Sequence, residues 1–235
     1  MGLASSLALA AEGAEIVIAD LDGEAAEQAA DEVRTAGGRA CAYQVDASSL
    51  PQLRALFDFV DKAYGKLNVL FSNVGSRGPN GFDVTEEQFD SVLNINLKIH
   101  FFSTNYAVPL MRRCAPQASI IYMSSGAGLR FFGRSPLYSI SKASMLMMSR
   151  SFARHLGPEG IRVNALCPGP VETAFPSQGV DPAEHAALVA KWSKDIPLGR
   201  IAQPEDIAGV VAFLASDQSM YLTGLSIPVD GGILA

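Results

Sequence analysis

Cysteine is scarce, with three residues in 235. Cys41, Cys114 and Cys167 are too far apart for a metal-ligand spacing and too few and odd in number for a disulfide framework, so they read as reduced thiols of a cytoplasmic protein. Histidine is equally sparse. His100, His155 and His185 are too dispersed for a zinc site, and no metal is expected. Positive charge is short as well. Lys and Arg number 18 against 24 acidic residues, a net charge of −6, which gives no footprint for nucleic acid or an anionic membrane surface. No apolar run reaches the ~18 residues of a membrane span. The apolar opening Met1 to Ala11 lacks a basic leader and meets Glu12 and Glu15 at once, so it is a poor signal peptide. A soluble, cytoplasmic protein is expected. There is no Gly-x-Ser-x-Gly elbow to support a serine hydrolase. Repeats, low-complexity stretches and linkers are also missing, so residues 1–235 read as one domain.

What the chain does have is alternation. Apolar residues make up 49% and charged residues 18%, as in ordinary globular proteins. Short apolar runs at Glu15 to Ala19, Ala40 to Val45, Asn68 to Phe71, Ser119 to Met123 and Arg162 to Leu166 suit strands covered on both faces. Helical stretches lie between them at Glu24 to Thr35, Pro51 to Tyr64, Thr85 to Arg113 and Leu137 to Leu156. Gly13, Gly37, Gly65 and Gly157 each follow a helical run, where a left-handed cap is wanted. Strict alternation predicts a parallel sheet with right-handed crossovers, an α/β doubly wound domain. The beginning departs from that plan. Leu3, Leu7, Ala10 and Ala11 form a helical stripe, so the chain opens in a helix with only Met1-Gly2 before it. A doubly wound fold begins with a strand and a glycine turn that binds phosphate. The first strand is therefore expected to be missing, with the fold cut inside its glycine turn. On that reading 10–20 further residues lie upstream, and the 235-residue chain alone is poorly soluble and binds its cofactor weakly.

The sharpest local signal is Tyr138-Ser-Ile-Ser-Lys142. Four residues on a helix put phenol and ammonium on one face, about 5–6 Å apart at Cβ. A neighbouring cation favours the phenolate and lowers a tyrosine pKa from its usual ~10, making a general base for an alcohol or a general acid for a carbonyl. A surface lysine over a half-buried tyrosine is the plain alternative. Ser125 stands thirteen residues earlier, at the end of a strand and before Gly126 and Gly128. Strand ends in this fold face the ligand crevice, though Ser125 could also be a simple turn cap. Asp20 ends the first predicted strand, 18 residues after Gly2. An acidic residue about 20 positions beyond the glycine turn accepts adenosine ribose hydroxyls, and its charge disfavours a 2′-phosphate. The alternative is that Asp20-Leu-Asp-Gly23 is only a turn, with Asp22 capping the next helix.

With these residues in place, the chain resembles the short-chain dehydrogenase/reductase family, a Rossmann-like group, from Gly2 to its C-terminus. Ser125, Tyr138 and Lys142 have the family's spacing. Asn73-Val-Gly75 looks like the end of its Asn-Asn-Ala-Gly segment, and Asn94-Ile-Asn-Leu97 like its helix asparagine motif. Ile161-Arg-Val-Asn164, Pro168-Gly169 with Thr173, Pro204-Glu-Asp206, Phe213-Leu-Ala-Ser216 and Asp230-Gly-Gly232 resemble its later signatures, in order. The resemblance implies that Tyr138 is the acid/base and that Lys142 binds the nicotinamide ribose while depressing the tyrosine pKa. Ser125 would orient the substrate oxygen, and Asn96 would hold a water that relays the proton. It also implies cofactor contacts at Gly2, Asp20, Leu21, Asp46, Ala47, Asn73, Tyr138, Lys142, Val171 and Thr173. NAD is favoured over NADP by Asp20. Hydride passes directly to or from nicotinamide, and the protein supplies orientation and proton transfer.

Departures from the family pattern are Ser72 and Val74 within the asparagine segment, Ile99 where a glycine is usual, and the lost glycines of the opening turn. The expected reaction interconverts a secondary alcohol and a ketone. A reductase of 3-oxoacyl thioesters, or a catalytically silent truncated scaffold, are the alternatives. The segment Ala174 to Leu198, with Phe175, Leu188, Val189 and Trp192, is expected to cover an apolar substrate. Phe101, Phe102, Phe131 and Phe132 are expected in the core or in a subunit contact. The family pairs its long helices between subunits, which predicts a homodimer or homotetramer.

Overall fold

The computed structural model describes residues 1–131, 135–173 and 181–235. The chain opens in helix α1 (Gly2–Ala11), as its apolar stripe predicts, and alternates thereafter. β1 (Glu15–Asp20), α2 (Gly23–Thr35), β2 (Arg39–Gln44), α3 (Leu50–Tyr64) and β3 (Val69–Ser72) follow. Next come α4 (Glu86–Leu93), a π turn (Asn94–Lys98), α5 (Ile99–Met111), β4 (Ala118–Met123) and α6 (Pro136–Leu156). β5 (Ile161–Pro168), α7 (Pro182–Asp195), α8 (Pro204–Ala215) and β6 (Ser226–Val229) complete the order.

Side-chain caps set several of these starts. Asp22 accepts from the Glu24 and Ala25 amides at 3.0 Å, and Thr85 with Gln88 forms a reciprocal capping box, each pairing amides that a helix start leaves orphaned. Ser135 accepts from the Tyr138 amide ahead of Pro136 and so starts α6. Two expectations need correction. Thr85 to Arg113 is not one uniform helix, because a π turn at Asn94–Lys98 separates α4 from α5. Gly157 does not make a left-handed cap: its φ is −55°, and the left-handed residue is Gly160, after a 3-10 turn. β6 and the last two helices had no strong sequence signal. β6 contains Pro228, which weakens a strand pattern and is tolerated at a sheet edge.

All pairing is parallel. β3-β4-β5-β6 form one sheet and β1-β2 another. Among the described residues no ladder joins β1 to β3, so the sheet comes in two pieces. β4 and β5 are buried along their whole lengths, which explains their unbroken apolar runs. Their side chains alternate between two layers. Ile120, Tyr122 and Val163 face α3, α5 and α6 with Met111 and Met145. Ile121, Met123 and Leu166 face α8 with Ile207, Val211 and Leu214. Helices thus cover both faces, with the loops after the strands gathered at one edge.

Candidate active site

Ser125 lies just past β4, where its Oγ accepts from the Ala127 amide at 3.1 Å and caps a 3-10 turn, Gly126–Gly128. The same side chain shares a hydrogen bond with Tyr138. Turn cap and partner of the phenol are therefore both true of it. Gly128 lets this turn lie against α6: a Cβ there would stand 2.8 Å from the Lys142 carbonyl carbon and 2.9 Å from the Ala143 nitrogen. Ser124 fastens the same junction, its hydroxyl donating to the Lys142 carbonyl at 2.8 Å.

Lys142 is buried, and its Nζ lies 5.8 Å from the centre of the Tyr138 ring. The ammonium donates to the Met123 carbonyl at 2.9 Å and lies 3.6 Å from Met145 Sδ. Burial pushes its pKa down to about 8. Gly75 faces this cation closely, since a Cβ there would sit 3.3 Å from Nζ and 3.5 Å from Asn96 Oδ1. Asn96 is fully buried in the π turn. Its Oδ1 accepts from the Ser76 amide at 2.7 Å, and its Nδ2 donates to the Ser76 carbonyl at 2.8 Å and Ser141 Oγ at 3.0 Å. Ser141 Oγ in turn donates to the Tyr138 carbonyl at 2.7 Å. Asn96, Ser125, Tyr138 and Lys142 thus lie together; spacing singles out Ser125, Tyr138 and Lys142, and the family resemblance adds Asn96.

The electrostatics differ from expectation. The Tyr138 phenol is pushed up from its ordinary value, because burial outweighs the Ser125 hydrogen bond and the nearby charge of Arg77. The Lys142 ammonium, 5.8 Å from the ring centre, donates to the Met123 carbonyl. Asn96 commits both Nδ2 hydrogens, to the Ser76 carbonyl and Ser141 Oγ, while its Oδ1 accepts from the Ser76 amide and keeps a second lone pair.

The predicted cofactor residues follow strand ends along one edge of the sheet. Asp20 closes β1, is exposed, and accepts from the Asp22 amide at 3.0 Å. Leu21 is 67% exposed, and its carbonyl accepts from Gln44 Nε2 at 3.2 Å. Asp46, beyond β2, accepts from the Ser48 hydroxyl at 2.6 Å and amide at 2.9 Å. The Ser48 hydroxyl holds that carboxyl below its usual range. Ala47 packs beside it against the core. Asn73, just past β3, keeps a buried Oδ1 that lacks a hydrogen-bond partner. A Cβ at Gly2 would lie 3.3 Å from Asn73 Nδ2, so the α1 N-terminus and the β3 end approach closely. Val171 is buried and bridges to Ala202 beyond β5, and Thr173 follows it. An orphaned acceptor, a close approach at Gly2 and polar residues after successive strand ends suit an extended dinucleotide along this edge.

Phe132, Phe175 and residues 174–180 lie outside the described residues. The rest of the expected cover is α7, where Leu188, Val189 and Trp192 are half-buried. No group of three metal ligands occurs among the described residues. Sequence reasoning missed Ser76, Ser141, Arg77 and the burial of His100. The glycines at 75 and 78 around Arg77 were the available hint, since such punctuation marks a segment packed tightly on its neighbours.

Comparison with known proteins gives the family. A family model described as enoyl-(acyl carrier protein) reductase matches residues 1–234. A 3-oxoacyl-acyl-carrier-protein reductase of Thermotoga maritima is 34% identical over 100% of this chain and 93% of its own length. Galactitol 2-dehydrogenase of Agrobacterium fabrum is 36% identical over 99% of this chain and 92% of its own. The solved structure of a Serratia marcescens short-chain dehydrogenase/reductase superposes with a TM-score of 0.89 at 31% identity, covering 100% of this chain and 93% of the other. The chain belongs to the short-chain dehydrogenase/reductase family, oxidoreductases that act on CH–OH groups with a nicotinamide dinucleotide.

Proposed function

We propose that the protein interconverts a secondary alcohol and a ketone with NAD, using Tyr138 as the acid/base. The observation that carries this reading is the convergence of Ser125, Tyr138 and Lys142, with the phenol already bonded to Ser125 and the lysine 5.8 Å from the ring. Ser125 holds the substrate oxygen beside the phenol. Tyr138 takes the alcohol proton at its Oη, or returns it to the carbonyl oxygen. The nicotinamide, when bound, accepts or supplies the hydride. Lys142 binds the ribose next to it, a role that fits a buried cation facing Gly75. Asn96, fixed by Ser76 and Ser141, holds the water through which the proton relays out.

Along the strand edge, Gly2, Asp20, Leu21, Asp46, Ala47, Asn73, Val171 and Thr173 hold the rest of the cofactor. Asp20 favours NAD, because its carboxylate repels a 2′-phosphate. The half-buried Leu188, Val189 and Trp192 favour an apolar substrate. A second reading, reduction of 3-oxoacyl thioesters, is supported by relatives so named in Thermotoga maritima and, as a (3R)-3-hydroxyacyl-CoA dehydrogenase, in Mus musculus. Assaying free alcohols and ketones beside acyl thioester ketones separates the two. We also place the working protein in a homodimer or homotetramer in the cytoplasm.

The test is turnover with both cofactors in wild type and Tyr138→Phe. Wild type is expected to prefer NAD. The phenylalanine variant should lose at least 10²-fold in kcat, the usual scale of general acid–base terms, while still binding NAD in calorimetry. A variant keeping more than a tenth of wild-type kcat removes Tyr138 from the role, and a preference for NADP removes Asp20 from its own.

A further inference from the structure

His100 of α5 lies where three elements meet. Its ring is wholly buried, and its Nδ1 is 2.6 Å from the Oγ of Ser72, the buried last residue of β3. The same ring lies against the Val74 main chain. Ser72 and Val74 are the two departures within the asparagine segment, so His100 meets that segment where it is peculiar to this chain. The helical turn that carries the ring is itself tied to β4. Thr104 Oγ1 donates to the His100 carbonyl at 2.9 Å and shares a hydrogen bond with Tyr122 Oη. Tyr122 pairs with Ser72 across the strands and meets the His100 ring edge-on, with centroids 6.3 Å apart. Ser72, His100, Thr104 and Tyr122 are all buried, and each finds a polar partner within the group, as buried polar side chains require.

We propose that His100 is a positioning residue of the cofactor site: bonded to Ser72, it fixes the segment Asn73-Val-Gly75 along which the dinucleotide lies. This rests on the cofactor path proposed above. The residues that follow Ser72 support it. Asn73 carries a buried Oδ1 without a hydrogen-bond partner, and its Nδ2 lies 3.3 Å from where a Cβ of Gly2 would stand. Gly75 is as closely fitted, since a Cβ there would stand 3.3 Å from Lys142 Nζ and 3.5 Å from Asn96 Oδ1. A binding segment with so little room loses much of its effect when displaced by about 1 Å. Asn96 holds the far end of this segment through the Ser76 amide and carbonyl. His100, one helical turn later, holds the near end through Ser72. Two successive turns of one helical stretch thus clamp the segment at both ends. Imidazole suits the near clamp because it is rigid, and its Nδ1 can donate or accept as the tautomer dictates.

The test needs no substrate. The affinity of the intact protein for NAD, or for NADP if wild type prefers it, is measured by calorimetry in wild type and four variants. Ser72→Ala and His100→Leu each remove the bond and should raise Kd on the order of tenfold. The double variant should be no weaker than the weaker single one, because both substitutions delete one interaction. His100→Asn puts an amide near the place of Nδ1 and should bring Kd back to within about threefold of wild type. An unchanged Kd in the two single variants overturns the proposal. Equal losses in His100→Asn and His100→Leu overturn it too, since the fit of the ring and not its bond would then matter. Ser72→Ala, which deletes one oxygen, carries the test alone if His100→Leu does not fold. A wild type that binds neither dinucleotide removes the cofactor reading itself, whereas wild-type binding that these variants leave untouched removes only the clamp.

Discussion

His100 sits one helical turn beyond Asn96, with its ring wholly buried. Ser72 Oγ and His100 Nδ1 are 2.6 Å apart, and the ring also lies against the Val74 main chain. Burial, aided by the charge of Lys142, pushes the imidazole down to about 3, against about 6.5 for an unfolded histidine. The folded state therefore refuses a proton that the unfolded chain binds anywhere between those values. Stability from this group is complete above about pH 6.5 and is lost as pH falls, at about 1.4 kcal/mol per unit. Urea unfolding of wild type and His100→Gln between pH 6 and 4 checks this: the gap between the two curves should shift by about that slope in favour of the glutamine variant. Parallel curves would mean that the histidine titrates normally. The site residues divide by what a sequence can encode. Tyr138, Lys142 and Ser125 stand out as candidates through spacing along a helix and position after a strand, and Asn96 only through the family resemblance. The direction of the Lys142 ammonium and the burial of His100 were not legible, since each depends on contacts between distant segments. Ser72, which departs from the family segment, finds its physical reason only in its distant partner His100.

At the scale of elements, the active site depends on one seam: the turn after β4 lying on the backbone of α6. Gly128 makes that approach possible, with backbone atoms of Lys142 and Ala143 within 2.9 Å of where a Cβ would stand. Backbone cannot swing aside as a flexible side chain would. Gly128→Ala must therefore lift the turn, carrying Ser125 away from Tyr138. Overpacking of this kind costs ~1–3 kcal/mol, and kcat should fall at least tenfold, while cofactor affinity, which the proposed reading assigns mostly to residues along the other strand ends, should change little. Melting temperature, kcat and NAD calorimetry on the one variant decide it; unchanged turnover would show that the seam does not position Ser125. The elements themselves were mostly visible beforehand, because caps and apolar periodicity are local. The π turn was not. It interrupts a stretch of good helix pattern at Asn96, whose amide binds Ser76 and Ser141, and nothing in the local periodicity marks such a bulge.

For the whole molecule, alternation along the chain was enough to give the parallel sheet covered by helices on both faces. The outer surface was harder to read. Met145, Met147 and Met148 look alike in sequence, yet Met145 and Met148 are core while Met147 is 59% exposed. On the same helix Ile140, two turns away, is 61% exposed, and Phe101 of α5 is 43% exposed while stacking on Phe152 of α6 at 5.4 Å. Phe89 of α4 is exposed as well, and α4 packs on α6. Large apolar side chains grouped on neighbouring helices mark an association surface more often than they mark chance. A two-fold axis across α5 and α6 would let the same residues meet themselves, as a self-complementary dimer contact requires. Burying a charge in such a contact without a partner is costly. Sedimentation of wild type at micromolar concentration should therefore show a dimer or tetramer, and Met147→Glu combined with Phe101→Glu should give a folded, smaller species. The pair of substitutions lies on the outer face and leaves Tyr138 and Lys142 in place, so circular dichroism can confirm that the smaller species keeps its fold. A wild-type monomer, or a double variant that sediments as wild type does, would move the contact elsewhere on the surface.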